Sequence, residues 1–253
     1  MKAWKIRNAR NTQKTRKTRA EKIRQKRLAA DIVEWDVQNW WRAVTFWEEM
    51  HLSDDVRGKK VLDIGGRNGG LSLYWALKGA DVICSDISTD GLKKAKQLHK
   101  KYRGITGQIT YETIDAMEIP YKNEFDLICF KSVLGGIGHD GHDENIRRAL
   151  HSMHRALKEH GTLCFCENLS ASPLHQFARK KCVGWGKSWR YIRLPELDGL
   201  LKEFSCTQYR TYGFFGVFGR SKWLSDILGA IDGCMDRYVR EEYRYIVSCV
   251  SRK

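Results

Sequence analysis

Apolar positions in this chain keep helical spacing first and strand spacing later. Between Trp35 and Met50, Trp40, Trp41, Val44 and Trp47 recur at intervals of three to four, and the pattern stops before Asp54 and Asp55. Short apolar runs then alternate with helical stretches. Lys60–Ile64, Asp81–Ser85, Gln108–Ile114, Phe125–Phe130 and Thr162–Cys166 read as strands, and Gly70–Lys78, Asp90–Arg103, Glu144–Glu159 and Pro195–Lys202 as helices. Such alternation predicts right-handed crossovers and a parallel sheet covered on both faces. The unbroken apolar run Phe125–Phe130 suits a strand buried on both sides. Beyond Phe204, strand-like runs at Cys206–Tyr212 and Tyr243–Val250 flank a predicted helix over Lys222–Tyr238, which places the last two strands at the sheet edge.

Two inserts interrupt this order, at about 170–193 and 214–240. The first reads as irregular and holds Trp185, Trp189 and Tyr191 with Arg179, Lys180 and Lys181. Inserts after the carboxyl ends of strands are where α/β proteins place substrate contacts, although an aromatic-rich one also serves as a satellite core.

Composition narrows the classes. The 253 residues are 42% apolar and include nine Trp, enough for a real core, which excludes a disordered or collagen-like chain. No apolar run approaches the roughly 20 residues of a bilayer span, and Met1–Arg10 lacks a secretory apolar segment. The expectation is a soluble, cytoplasmic protein. Of the net charge of +15, residues 1–27 carry +11, with twelve Lys or Arg against Glu21. We therefore divide the chain into a basic arm or helix over 1–30 and a folded domain over 31–253. The arm is a solvated extension, a contact for RNA phosphates, or a contact for an anionic membrane surface, which would make the protein peripheral to the inner membrane face. None of the eight cysteines forms a Cys-x-x-Cys pair, and Cys84, Cys129, Cys164, Cys166 and Cys249 lie in strand-like runs. They read as core residues of a reducing compartment, with no structural metal expected.

The chemistry concentrates in Val61–Ser72, a strand leading into a glycine-dense turn and then a helix. Glycines allow close approach of the backbone, and the helix start presents free N–H groups. Asp63, two positions before the first glycine, would repel a pyrophosphate, and Arg67 breaks the Gly-x-Gly-x-x-Gly spacing. An acid there suits a cationic ligand. Taken alone, Asp63 also reads as a helix or turn cap and Asp86 as an ordinary strand-end acid.

This segment resembles the first motif of the class I S-adenosylmethionine-dependent methyltransferases. Asp63, Gly65 and Gly69 match, and Arg67 stands in place of the middle glycine. The resemblance covers residues 35–168. It implies a Rossmann-like α/β fold, a mostly parallel seven-stranded sheet with helices on both faces and an antiparallel edge strand. It implies S-adenosylmethionine as cofactor, held by Asp63, Gly65, Gly66, Arg67 and Gly69. Asp86, followed by Ile87, takes the ribose position, Asp115 and Ala116 the adenine edge, and Lys131 and Ser132 the fourth-strand motif beside the methyl-transfer centre. Trp40, Trp41 and Trp47 precede the first strand, where related enzymes carry a lid; the plainer reading packs them on the sheet.

For the acceptor, Lys131–Gly136 differs from the Asn/Asp-Pro-Pro-Tyr of adenine amino-methyltransferases, and no Pro-Cys dipeptide suits cytosine C5 chemistry. Lys131 also occupies the place of the strand-end Asp of ribose 2′-O enzymes. His139 is the candidate general base, because a neutral imidazole takes a hydroxyl proton. The alternative is that this loop caps the next helix through Asp140 or Asp143; a metal held by His139, His142 and Asp143 is the least favoured reading. The runs Glu167–Phe177 and Trp185–Tyr191 resemble methyltransferases of surface glycans and small metabolites, and Trp and Tyr faces beside Asn, Glu and Arg suit a sugar. The expected function is O-methylation of a glycan, glycolipid or small metabolite. The alternatives are an RNA methyltransferase and a methyltransferase-fold binding protein without catalysis.

Overall fold

The computed structural model describes residues 18–182, 188–219 and 221–253. Helix α1 (Arg19–Val33) starts with a capping box: the Thr18 hydroxyl accepts from the Glu21 amide, and the Glu21 carboxylate accepts from the Thr18 amide at 2.7 Å. Its first turns are exposed and basic, whereas Ala29, Ile32 and Val33 are buried. The helix thus runs through the expected boundary at residue 30. After a bend in which Glu34 and Asp36 both take positive φ, α2 (Val37–Glu49) follows.

Strands β1 (Lys60–Ile64), β2 (Asp81–Asp86), β3 (Ile109–Thr113) and β4 (Phe125–Lys131) alternate with helices α3 (Gly70–Leu77) and α4 (Thr89–His99). Then come α5 (Leu134–Ile137), α6 (Asp143–Ala156), β5 (Leu157–Asn168), α7 (Pro173–Cys182), α8 (Leu197–Leu200), β6 (Ser205–Tyr212), α9 (Lys222–Met235) and β7 (Ile246–Arg252). The sheet order is β3-β2-β1-β4-β5-β7-β6. Strands β1 to β5 pair in parallel, and β7 runs antiparallel between β5 and the outermost β6. The sheet is the mostly parallel one that the element order predicts and the Rossmann-like one that the resemblance implies.

Alternate residues feed two cores. On one face Val61, Leu127, Cys129, Cys164 and Cys166 lie under α1, α2 and α3. Leu62, Ile128, Phe130, Leu163 and Phe165 face α5, α6 and α8. Small thiols under the first group leave room for large rings: Trp40, Trp47 and Trp75 are fully buried, and Trp47 stacks on Trp75 at 5.9 Å. Trp40 and Trp47 therefore pack the helix on the sheet. The five strand cysteines are buried free thiols, and burial pushes Cys84 up to about 12.

Three local readings change. The first insert, read as irregular, contains α7, because Pro173 opens a helix that closes with Arg179, Lys180 and Lys181. Helix α6 stops at Ala156, and β5 begins at Leu157, so polar Lys158–His160 belong to a strand rather than to the helix. The helix expected over Pro195–Lys202 is a 3-10 turn followed by a single α-turn. Trp185, Gly186, Lys187 and residues 1–17 lie outside the described residues.

A buried polar network ties the second insert to the body. The Asn39 amide donates to Asp232 at 2.8 Å and to the Tyr245 hydroxyl at 2.9 Å, and that hydroxyl donates to Asp36. Asp232 also accepts from the amides of Phe215 and Gly216, both at 2.8 Å. Burial pushes the Asp36 carboxyl up to about 7, against the pull of its bonds from Tyr245 and Asn39. Its contribution to stability is then full below the ordinary carboxylate value and is lost as pH rises through about 7. We expect Asp36→Asn to gain stability relative to the parent as pH rises from 4 to 7, by up to about 1.4 kcal/mol per pH unit. Urea denaturation across that range checks this, and a constant difference between the two proteins contradicts it.

Candidate functional site

The carboxyl ends of β1, β4 and β5 open into one cavity of about 570 Å³. One wall is the turn after β1, with Asp63, Gly65, Gly66, Arg67 and Asn68; Lys131 and Ser132 lie at the centre; Asn168, Arg179, Trp189 and Tyr191 form the far wall. Ile32, Glu34, Trp35 and Val217 complete the lining.

The first wall is held from below. Asp63 is almost wholly buried, and its Oδ2 accepts from the Ser72 amide at 2.9 Å and from the Ser72 hydroxyl at 2.6 Å. It thus satisfies a free N–H in the first turn of α3, so the capping role read for Asp63 is real even as the residue lines the cavity. Burial pushes its carboxyl up to about 7, against the Ser72 bonds. Arg67 adopts φ 46°, the conformation a glycine would take, and its amide donates to Asp86 Oδ2 at 2.8 Å. Asp86 Oδ1 accepts from the Ser88 amide at 2.7 Å. The turn and the end of β2 are therefore one unit. A Cβ on Gly70 would meet the Ile32 carbonyl at 2.1 Å, so only glycine lets α1 dock on the start of α3.

The centre is a strained turn. Ser132 has φ 56°, and buried Glu167 holds the residues after it: Oε2 accepts from the amides of Val133 and Leu134, both at 2.8 Å. Its Oε1 accepts from the Asn168 amide at 2.9 Å, and the Asn168 side chain donates to Ser132 Oγ, also at 2.9 Å. Burial pushes the Glu167 carboxyl up to about 7, opposed by those amides. Lys131 Nζ lies 4.6 Å from the centroid of Trp40. Burial moves the Lys131 ammonium below the ordinary lysine value, and Glu34 is the largest opposing influence.

On the far wall the Arg179 guanidinium donates to the Leu169 carbonyl at 2.6 Å and sits 3.9 Å from the Tyr191 ring. Trp189 lies against α5 because Gly135 has no side chain; a Cβ there would fall 2.0 Å from the indole nitrogen.

Six of the residues singled out in the sequence, Asp63, Gly65, Gly66, Arg67, Lys131 and Ser132, thus meet at the cavity. Asp86, Ile87, Asp115 and Ala116 are not among its lining residues; they lie at or just past the ends of β2 and β3. Gly69 does not face it: its carbonyl accepts from His99 Nε2 at 2.8 Å, and a Cβ would strike that ring. His139 does not line the cavity: it is exposed and contacts Asp140 at 3.0 Å, on the 3-10 turn His139–Gly141. Neither Asp140 nor Asp143 caps α6; Asp143 pairs with Arg190 at 2.7 Å. Among the described residues no group of three or more His, Cys, Asp or Glu is arranged for a metal. Glu34, Trp35 and Val217 were missed; Glu34 and Trp35 lie at the bend between α1 and α2, and Val217 in the 3-10 turn before α9.

We expect Gly135→Ala to force Trp189 off α5 and to cost about 1–3 kcal/mol, as overpacking does. Gly199→Ala, where a Cβ meets nothing within 4 Å, is the control. Urea midpoints falling equally for the two variants would show that Gly135 is not needed for the approach.

The family model described as a methyltransferase domain matches residues 61–161. A ubiquinone/menaquinone biosynthesis C-methyltransferase from Shewanella sp. (strain ANA-3) is 30% identical over 154 residues, covering 59% of this chain and 56% of that protein. The chain therefore spans about half the length of such curated relatives. An S-adenosylmethionine-dependent methyltransferase from Methanosarcina mazei matches in structure with a TM-score of 0.60 at 16% identity, over 81% of this chain and 96% of that one. The phosphoethanolamine N-methyltransferase 2 of Haemonchus contortus, solved with S-adenosyl-L-methionine, matches with a TM-score of 0.53 at 18% identity, over 78% of this chain and 49% of that one. At these identities the structural likeness is one of fold. With the turn after β1 and the sheet order, the match over residues 61–161 supports reading this part of the chain as a class I S-adenosylmethionine-dependent methyltransferase domain.

Proposed function

We propose that this chain uses S-adenosylmethionine to methylate an oxygen of a glycan, a glycolipid headgroup or a sugar-like metabolite. The observation that carries this reading is the single cavity in which the Asp63–Asn68 turn faces Asn168, Arg179, Trp189 and Tyr191 across Lys131.

The donor set fits the cofactor. Each Asp86 oxygen accepts one backbone amide and keeps a second lone pair for a ribose hydroxyl. Ile87 beside it is 70% exposed, an apolar face open to a base. Asp115 uses Oδ1 to accept from the Met117 amide, which leaves Oδ2 for an exocyclic amine. Glu34 and Arg67, 3.8 Å apart at the rim, offer both charges to an amino-acid end. When bound, the cofactor supplies a methyl group on a sulfonium whose positive charge is lost on transfer.

The remaining chemistry belongs to the chain. Trp189 and Tyr191 offer flat faces for the C–H face of a sugar ring, and Ser132, Asn168 and Arg179 offer polar atoms to its hydroxyls. With His139 at the surface, Lys131 is the titratable amine of the cavity. Desolvation lowers the value of its ammonium, which favours the neutral amine that would accept the proton of the attacking hydroxyl. Fixed groups on both sides hold the reactants close, which is where such an enzyme gains most of its rate.

Two outcomes test the reading. Asp86→Ala should weaken S-adenosylmethionine binding about 10- to 150-fold in titration calorimetry, the loss of one or two charge-assisted hydrogen bonds. No saturable heat with the parent protein would favour a binding protein of this fold that lacks catalysis. Lys131→Ala should lower turnover roughly 10²- to 10⁴-fold with little change in cofactor affinity, and the parent rate should rise with pH through the lowered lysine value. Lys131→Arg, always protonated, should fail to restore the rate. A fully active arginine variant would show that the position recognises an anionic acceptor and does not take a proton.

A further inference from the structure

Helix α9 is amphipathic in the inverse sense. The side packed on the body is polar or small: Gly229 and Asp232 are buried, Asp236 continues that row in the following 3-10 turn, and a Cβ on Gly229 would meet Gln38 at 2.6 Å. The side turned to solvent is apolar. Trp223, Ile227, Ile231 and Met235, spaced four apart, are 72%, 38%, 42% and 37% exposed. A helix that buries its carboxylates and presents a four-turn apolar stripe is built to meet a nonpolar medium.

Its surroundings are cationic. Lys26 of α1 pairs with Asp226 at 2.7 Å, which joins the basic helix to α9 and neutralises the acid nearest the stripe. Exposed Ile23 lies one turn before Lys26, among exposed Lys22, Arg24 and Arg27. Lys222 and Arg237 stand at the two ends of α9, and Arg237 lies 4.7 Å over the ring of exposed Tyr238. A second copy of the chain would bring the same net charge of +15 against this face. An anionic surface is complementary to it.

We propose that α9 and α1 form a docking face for an anionic lipid bilayer, with the α9 stripe in the interface and the α1 cations on the headgroups. The loop Gly213–Gly219 leads into α9 and supplies Val217 to the cavity rim, so docking would bring the cavity mouth to the headgroup layer. A lipid-linked acceptor would reach it there. The docking itself is independent of the methyl-transfer reading, because it is measured without cofactor.

The test is co-sedimentation of the full chain with vesicles of phosphatidylglycerol and phosphatidylcholine, and with vesicles of phosphatidylcholine alone, across a salt series. We expect binding to the anionic vesicles that weakens as salt rises. Ile227→Gln/Ile231→Gln and, separately, Lys22→Glu/Arg24→Glu should each lower partitioning roughly tenfold or more, with circular dichroism and melting temperature unchanged. Absence of binding to either vesicle overturns the proposal, as does binding that both double variants leave intact. So does a dimer in light scattering that the isoleucine variant dissolves, which would assign the stripe to a second copy. Binding to a single-stranded RNA in place of vesicles, lost only in the Lys22 and Arg24 variant, overturns it too.

Discussion

The cavity depends on carboxylates at strand ends that bind the backbone amides of the turns around them. Asp63 at the end of β1 holds the first turn of α3 through Ser72. Glu167 at the end of β5 holds the two residues after Ser132. Both are almost fully buried, so their acceptors are not shared with water; removing Asp63 would leave the Ser72 amide and hydroxyl, and removing Glu167 three amides, without these partners in a dry interior. Asp86 does the same at the surface, where it ties the Arg67 amide to the end of β2. The site is thus shaped from beneath by acids, while its lining stays available for ligands.

This arrangement also accounts for the departure at Arg67. A non-glycine residue at φ 46° is unfavourable, and the bond from its amide to Asp86 offsets that strain. The side chain leaves the turn and reaches Glu34, so the substitution adds a charge to the rim without closing the turn.

Much of the fold was legible because its signals are local. Strand β1 has the limits its apolar run suggests, and β2, β3 and β4 differ by a residue or two at their ends, since a buried parallel strand is written in consecutive residues. Polar strand ends were not legible. Lys158–His160 follow a strongly periodic helix and lie in the irregularity of β5 between Leu157 and Thr162, which pair with β4 on either side of them. At the site, the glycine turn with Asp63 could be read from the residues themselves, and Lys131 from the resemblance to the family's fourth-strand motif. His139 could not be judged, because one 3-10 turn decides whether a loop histidine faces the cavity or the solvent. Glu34 and Trp35 come from the break between α1 and α2, and no sequence period reports the angle of that break.

Trp40 links the packing of α2 to the cavity. Its ring is fully buried among the residues that pack α2 on the sheet, and the same ring lies under Lys131 Nζ. The placement of the lysine amine is therefore fixed by the packing of α2. That helix is in turn anchored by Asn39, one residue earlier, whose amide reaches Asp232 on α9 and Tyr245 beside β7. The residue bonded to α9 is thus the chain neighbour of Trp40. The helix that presents an apolar stripe to the outside and the amine at the centre of the cavity are held by adjacent residues of one helical turn.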